Sequence, residues 1–396
     1  MANVKFTKRD LLTRGVAEII EEESFNKRLK SGKKLRIKFG IDPTGPNIHL
    51  GHTVPLWKLR QFQDLGHKIV LVIGDFTATI GDPSGRSEER KVLSVKEVKE
   101  NKKRYVEQVG KILDIKKIEI LHNSEWHKKE GLEAMLQLAR TATVQQLTER
   151  ADFTERIAKK SGISAIELLY PLLQAYDSVR VRADVEVGGI DQKFNLLMGR
   201  QVQKRYGQKE QDIFMLLLLK GTDGVKKMSK SMDNYIALLD EPGEMFGKTM
   251  TITDGEIVEY FECVTPLPLD ELEKIKKEKI TGKRARDLKL QLAELVVSVY
   301  WGKNEAKKAR DNFLKVFREQ KNPKDISEIE AGKNSSVVDV LVKAGFASSK
   351  TEARRLVDQG GVYLDDIKIG DYAKKIPLKR SILRVGRRKI IKVVVK

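Results

Sequence analysis

A single cysteine, Cys263, stands among 396 residues. That scarcity excludes an internal disulfide and any zinc or iron–sulfur site built from cysteine, and it suits a reducing compartment. No run of eighteen consecutive apolar residues occurs, so no membrane-spanning helix is expected. The opening residues 1–10 lack the apolar stretch of a secretory signal, which makes the cytoplasm the expected location. Acidic side chains are also short in supply: 56 Asp and Glu face 76 Lys and Arg, a formal net charge of +20. An excess of that size favours a polyanionic partner, because each cation that neutralises a phosphate releases counterions. From Lys333 onward there are 16 Lys and Arg against 6 Asp and Glu. Half of the net charge therefore sits in about the last sixth of the chain.

What is present alternates in type along the first two hundred residues. Leu35 to Gly40 and Lys68 to Gly74 read as buried strands ending on glycine, with Thr53 to Leu65 between them as a helix. Ile118 to Leu121 and Val185 to Gly189 repeat the strand pattern. Such βαβ units predict an α/β, Rossmann-like doubly wound parallel sheet whose ligand site lies at the carboxyl ends of its strands. From about Leu217 the pattern turns helical, with Gly255 to Val264, Pro268 to Lys279 and a longer pair over Arg284 to Phe317. Gln320 to Pro323 and Ala331 to Ser336 have the polar, turn-rich composition of a linker. Beyond them two small helices and three strands suggest a compact α+β tail. The expected division is 1–220, 221–332 and 333–396.

Two segments carry chemistry. In the first, strand residue Gly40 leads through Asp42-Pro43-Thr44-Gly45-Pro46 to His49-Leu50-Gly51-His52. The turn reverses the chain, and two histidines three residues apart enter a helix on one face. Gly51 has no side chain, so an adenine ring or a phosphate can approach the backbone, and the helix N-terminus favours an anion. Two histidines in that spacing also fit a structural pair or a metal site, although no third carboxylate or cysteine ligand stands nearby. In the second segment, Lys226-Lys227-Met228-Ser229-Lys230-Ser231 follows Gly224 and precedes Asp233-Asn234. Small serines between lysines allow both ammonium groups to reach one triphosphate.

In this order the two segments resemble the HIGH and KMSKS signatures of class I aminoacyl-tRNA synthetases. The resemblance implies activation of an amino acid by ATP, with magnesium accompanying the nucleotide and no protein-bound metal. No covalent nucleophile is required, so catalysis comes from positioning and from charge stabilisation as pyrophosphate leaves. It implies that His49 and His52 contact the phosphates, that Lys227 and Lys230 stabilise the departing pyrophosphate, and that Thr44, Gly51 and Asp191 complete the ATP site.

Tyr170 to Asp177, Gly188 to Asn195 and Gly81 to Arg86 resemble motifs of the bacterial tyrosyl-tRNA synthetase family, of the subtype with an unbroken Lys-Met-Ser-Lys-Ser loop. The likeness covers nearly the whole chain. It implies that Asp82, Tyr170 and Gln174 hold the α-ammonium of tyrosine. By the same resemblance Asp177 accepts the phenol hydrogen bond, Gln192 lies against the carboxylate, and Asp42 lines the pocket floor. A buried acceptor left unpaired penalises phenylalanine, so no editing domain is expected. One position departs from the family pattern: Lys38 stands where many members place a tyrosine, and a protonated lysine accepts no hydrogen bond.

The tail from Ser335 resembles the S4 RNA-binding domain. Ser349 is placed to cap a helix displaying Lys350, Arg354 and Arg355 on one face, a set suited to the phosphates of a folded RNA. The resemblance implies tRNA(Tyr), L-tyrosine and ATP as partners, a homodimer, and no membrane. Two other readings are tryptophanyl-tRNA synthetase and an RNA-binding paralogue without activity.

Overall fold

The computed structural model describes residues 6–83, 94–318, 327–365, 367–377, 380–386 and 389–395. Ser84 to Arg86 of one motif and the Gln320 to Pro323 linker lie outside the described residues. The chain divides into two compact units, Met1–Lys307 and Lys308–Lys396.

In the first unit six strands form one sheet: β1 (Val16–Ile20), β2 (Arg36–Ile41), β3 (Lys68–Ile73), β4 (Glu119–His122), β5 (Val185–Gly189) and β6 (Asp212–Leu216). Their order is β1-β6-β5-β2-β3-β4. Five strands are parallel, and β1 runs antiparallel to β6 at the edge. The sheet is therefore mixed, one edge strand short of the all-parallel expectation. Ile37, Ile69 to Ile73, Val185 and Ile213 are fully buried; β3 accordingly reads as an apolar run, while β2 and β5 carry the buried charges Lys38 and Glu186. Chain order reverses between β2 and β5. A crevice at the carboxyl ends opens at such a switch point, and the expected site residues Asp42 and Asp191 stand just beyond those two strands.

The helix after β2 runs Leu50–Asp64, three residues earlier than the periodicity predicts. His49 takes the extended N-cap position (φ −117°, ψ 167°), so Gly51 and His52 lie in the first turn. The far end stops at Gly66, whose φ of +86° is the left-handed geometry that glycine tolerates. Later helices include Ala165–Val181, Lys193–Arg205, Pro242–Thr249, Ile257–Val264, Leu269–Lys276 and Gly282–Trp301, the last packing on Pro242–Thr249 and Ile257–Val264.

In the second unit a sheet of β7 (Glu328–Ala331), β8 (Val362–Leu364), β9 (Ile367–Lys368), β10 (Ser381–Val385) and β11 (Lys389–Val395) has the order β7-β11-β10-β8-β9. Strand β7 precedes Lys333 and pairs in parallel with β11. Helices Val337–Lys343 and Lys350–Asp358 cover the sheet through Val337, Leu341, Ala353 and Val357, which meet Val362, Leu383 and Val393. Each helix has a serine cap: Ser336 accepts from the Asp339 amide and Ser349 from the Glu352 amide.

Candidate active site

The two cationic motifs lie side by side. An antiparallel bridge joins His49 to Ala237, flanked by Leu50 N–H donating to Ile236 O (3.0 Å) and Leu238 N–H to Ile48 O (2.9 Å). Residues just after the lysine loop are thereby fixed against the start of the helix. Gly51 N–H points at Met228 Sδ (3.2 Å). A Cβ at Gly51 would sit 3.1 Å from the His49 ring and 3.4 Å from Met228 Cβ, so the glycine allows histidine and loop to close on each other. Lys230 reaches the preceding turn, its Nζ 3.1 Å from where a Cβ of Gly45 would be and 5.8 Å from the centre of the Tyr105 ring. Lys227 forms an ion pair with Asp191 beyond β5. The loop itself is shaped by Asn234, which accepts from Ser229 N–H (2.8 Å) and donates to Asp223 (2.9 Å).

His49 is buried and its ring lies 3.7 Å from that of His52. Burial, then Lys230 and Lys227, push its pKa down to about 3. A neutral His49 can make a hydrogen bond but carries no positive charge at neutral pH. The turn carrying Thr44 is pinned from a neighbouring helix, Val95–Val109. Asn101 donates to Pro43 O (3.1 Å), and Gln108 donates to Pro46 O (3.1 Å) while accepting from Ile48 N–H (2.8 Å).

The expected amino-acid pocket falls into two hydrogen-bonded chains that share the helix Ala165–Val181. In one, Tyr170 Oη donates to Asp42 Oδ2 (2.9 Å) and Thr77 Oγ1 to Asp42 Oδ1 (2.8 Å). Asn123 then joins Thr77 (2.9 Å) to Asp177 (3.3 Å). In the other, Gln192 donates to Asp82 (2.8 Å), and Asn195 donates to both Gln192 Oε1 (2.9 Å) and Gln174 Oε1 (3.0 Å). Gly74 is obligatory beside the first chain, because a Cβ there would lie 1.9 Å from Asp42 Oδ1. Asp177 is buried and also accepts from Trp126 Nε1 and His127 Nε2, each at 2.9 Å.

Lys38 does not face a ligand. It is fully buried and spends its ammonium on Glu186 Oε1 (2.8 Å), Ser178 Oγ (2.7 Å) and Gln174 O (2.9 Å). Glu186 is its register partner on the neighbouring parallel strand.

The expected first-unit residues fall into local groups: the histidine helix start against the lysine loop, Lys227 against Asp191, and the two hydrogen-bonded pocket chains. Thr77, Gln108, Asn123, Trp126, His127 and Asn195 were not anticipated. Asn195, which closes the Gly188 to Asn195 motif, and Asn123, just past the end of β4, are the two with a sequence signal. In the second unit Lys350, Arg354 and Arg355 are exposed on one helix. Lys350 pairs with Asp339 (2.8 Å) and Arg354 stacks on Tyr372 at 5.3 Å. Among the described residues, no three His, Cys, Asp or Glu converge to hold a metal ion, and no helix is long and apolar enough to cross a membrane.

Comparison with known proteins decides the family. The family of class I tRNA synthetases for tryptophan and tyrosine (W and Y) matches residues 30–318, and the S4 domain matches residues 337–379. The tyrosine–tRNA ligase of Thermotoga maritima is 47% identical over 97% of this chain and 96% of its own length. That of Francisella tularensis is 44% identical over the full length of both. The chain belongs to the tyrosine–tRNA ligase family. Solved folds agree: a tyrosyl-tRNA synthetase from Archaeoglobus fulgidus, complexed with L-tyrosine, superposes with a TM-score of 0.62 at 23% identity, covering 76% of this chain and 98% of that one. A truncated mitochondrial tyrosyl-tRNA synthetase from Aspergillus nidulans gives 0.66 at 23% identity, covering 78% and 93%.

Proposed function

We propose that this tyrosine–tRNA ligase condenses L-tyrosine with ATP to tyrosyl-adenylate and pyrophosphate, then transfers the tyrosyl group to the 3′ end of tRNA(Tyr). The observation that carries the reading is the bridge between His49 and Ala237, which holds the start of the histidine helix against the lysine loop, Gly51 facing Met228 and Lys230 facing Gly45. The tyrosine carboxylate attacks the α-phosphate, and the bond to pyrophosphate breaks. His49 and His52 donate to the phosphates. Lys227 and Lys230 meet the charge that grows on the leaving pyrophosphate. Asp191 takes the ribose, so ATP entry exchanges its contact with Lys227 for one with the sugar. Thr44 and Gly51 border the nucleotide, and magnesium arrives with it as part of the substrate.

In the pocket, Asp82, Tyr170 and Gln174 hold the α-ammonium, Gln192 lies near the carboxylate, and Asp42 lines the floor, where it accepts from Tyr170. Asp177 accepts the phenol. Residues 1–220 activate the amino acid, the helices from Pro242 to Trp301 follow, and the S4-like tail grips tRNA through Lys350, Arg354 and Arg355. Five exposed apolar side chains within residues 132–166, Leu132, Leu136, Val144, Ile157 and Ile166, accord with a homodimer. A cytoplasmic location accords with the single reduced cysteine. The direct test is charging of tRNA(Tyr) with labelled tyrosine in the presence of ATP and magnesium. Stable tyrosyl-tRNA is expected; RNA binding without charging would overturn the reading.

A further inference from the structure

Asp177 accepts from three side chains, and they are distributed unequally. Oδ1 receives two, Trp126 Nε1 and His127 Nε2, both at 2.9 Å. Oδ2 receives Asn123 Nδ2 at 3.3 Å. A carboxylate oxygen offers two in-plane lone pairs, so Oδ1 is filled and Oδ2 keeps room for one strong donor. Which oxygen is presented matters, because the terminal torsion of aspartate is broad and roughly two-fold. Two donors on the same oxygen remove that freedom.

His127 is built to hold its place. Its side chain is 4% exposed. The ring stacks on Phe76 with centroids 5.2 Å apart and planes at 29°, and lies 6.0 Å from Tyr176 and 6.1 Å from Trp126. Since ionised Asp177 only accepts, the histidine nitrogen facing it carries the hydrogen. Asn123 is oriented in turn, its Oδ1 accepting from Phe76 N–H (2.9 Å). Lys38 adds no donor to Asp177, because its ammonium is committed to Glu186, Ser178 and the Gln174 carbonyl.

We propose that His127 is a positioning residue that fixes the Asp177 carboxylate with Oδ2 toward the substrate hydroxyl, and thereby sets the preference for tyrosine over phenylalanine. The inference rests on the assignment of Asp177 as the phenol acceptor. His127 acts only through Asp177, so its loss weakens a hydrogen bond that tyrosine makes and phenylalanine does not.

The test is amino-acid-dependent pyrophosphate exchange by the full chain, with tyrosine and with phenylalanine, for His127→Leu and His127→Gln. Leucine keeps bulk and removes the donor; the glutamine amide restores a donor. His127→Leu is expected to lower kcat/KM for tyrosine about tenfold to a hundredfold, the scale of a hydrogen bond to a charged group. The value for phenylalanine and the KM for ATP should stay within about threefold of the unaltered chain, and His127→Gln should recover most of the loss. A parallel fall for tyrosine and phenylalanine, an unchanged ratio in His127→Leu, or a glutamine variant as poor as leucine would each overturn the proposal. If the leucine variant does not fold, His127→Gln against the shorter His127→Asn makes the same comparison, with equal ratios overturning it. Absence of tyrosine-dependent exchange in the unaltered chain would remove the reaction assignment itself, and is seen before any substitution is made.

Discussion

Replacing Lys38 by methionine breaks the pair that ties β2 to β5 and to the helix bearing the pocket. The ammonium has three partners, Glu186 Oε1 at 2.8 Å, Ser178 Oγ at 2.7 Å and Gln174 O at 2.9 Å, and neither Lys38 nor Glu186 is exposed by more than 2%. Methionine fits the volume but leaves the glutamate charge uncompensated in the core. Removing one member of such a pair costs about 3–5 kcal/mol, because the remaining charge keeps its desolvation penalty. Lys38→Met with Glu186→Gln removes the charge while the amide oxygen still serves the Ser178 hydroxyl and Gln211. That double variant should regain more than half of the loss. Unfolding in urea followed by tryptophan fluorescence reads the correct unit, since Trp57, Trp126 and Trp301 all precede Lys308. A single-variant cost below about 1 kcal/mol, or additivity of the two substitutions to within about 0.5 kcal/mol, would refute the account of a coupled buried pair.

Three further outcomes are expected. Lys230→Ala should lower the rate of pyrophosphate exchange by at least about tenfold and leave tyrosine affinity, read by equilibrium binding, nearly unchanged, because the lysine works on the leaving group in the transition state; equal losses would contradict that role. Below pH 6.5 the unfolded chain takes up a proton that folded His49, with its pKa of about 3, refuses. The stabilisation is therefore complete above pH 6.5 and declines on acidification by about 1.4 kcal/mol per pH unit. The stability difference between the unaltered chain and His49→Gln should shift by about 1.6 kcal/mol between pH 6.5 and 5, and a pH-independent difference would count against it. Deleting residues 319–396 should preserve tyrosyl-adenylate formation and weaken tRNA charging, and a folded truncation unable to form adenylate would refute the division of labour. The cut precedes β7, because ending the chain at Lys333 would leave that strand without β11.

Much of this was legible in the sequence where the signal is local. Strands β2, β3 and β5 are short runs buried on both faces, and their limits moved by a residue or less. β7 and β9 are too short, at four and two residues, to show a pattern, and the two strands missed in the first unit fail for other physical reasons. β1 is a half-exposed edge whose five residues alternate poorly, and β6, Asp212-Ile213-Phe214-Met215-Leu216, is a short apolar run that periodicity cannot tell from a buried helix. The site divides in the same way. His49, Gly51 and Lys227 to Lys230 declare themselves because their spacing is tied to a turn and a loop. Asn123, Trp126 and His127 do not, since their meaning depends on Asp177 some fifty residues away. Lys38 looked anomalous for a related reason: its counter-charge is a cross-strand neighbour, Glu186, supplied by the next parallel strand and 148 positions later in the chain.

The claim that this crevice activates tyrosine is tested most directly by amino-acid-dependent exchange of pyrophosphate into ATP, using the full chain and each amino acid in turn. Exchange driven by tyrosine, with tryptophan and phenylalanine far behind, is the predicted result. Exchange driven by tryptophan and not by tyrosine would contradict the reading of Asp177 and the pocket around it.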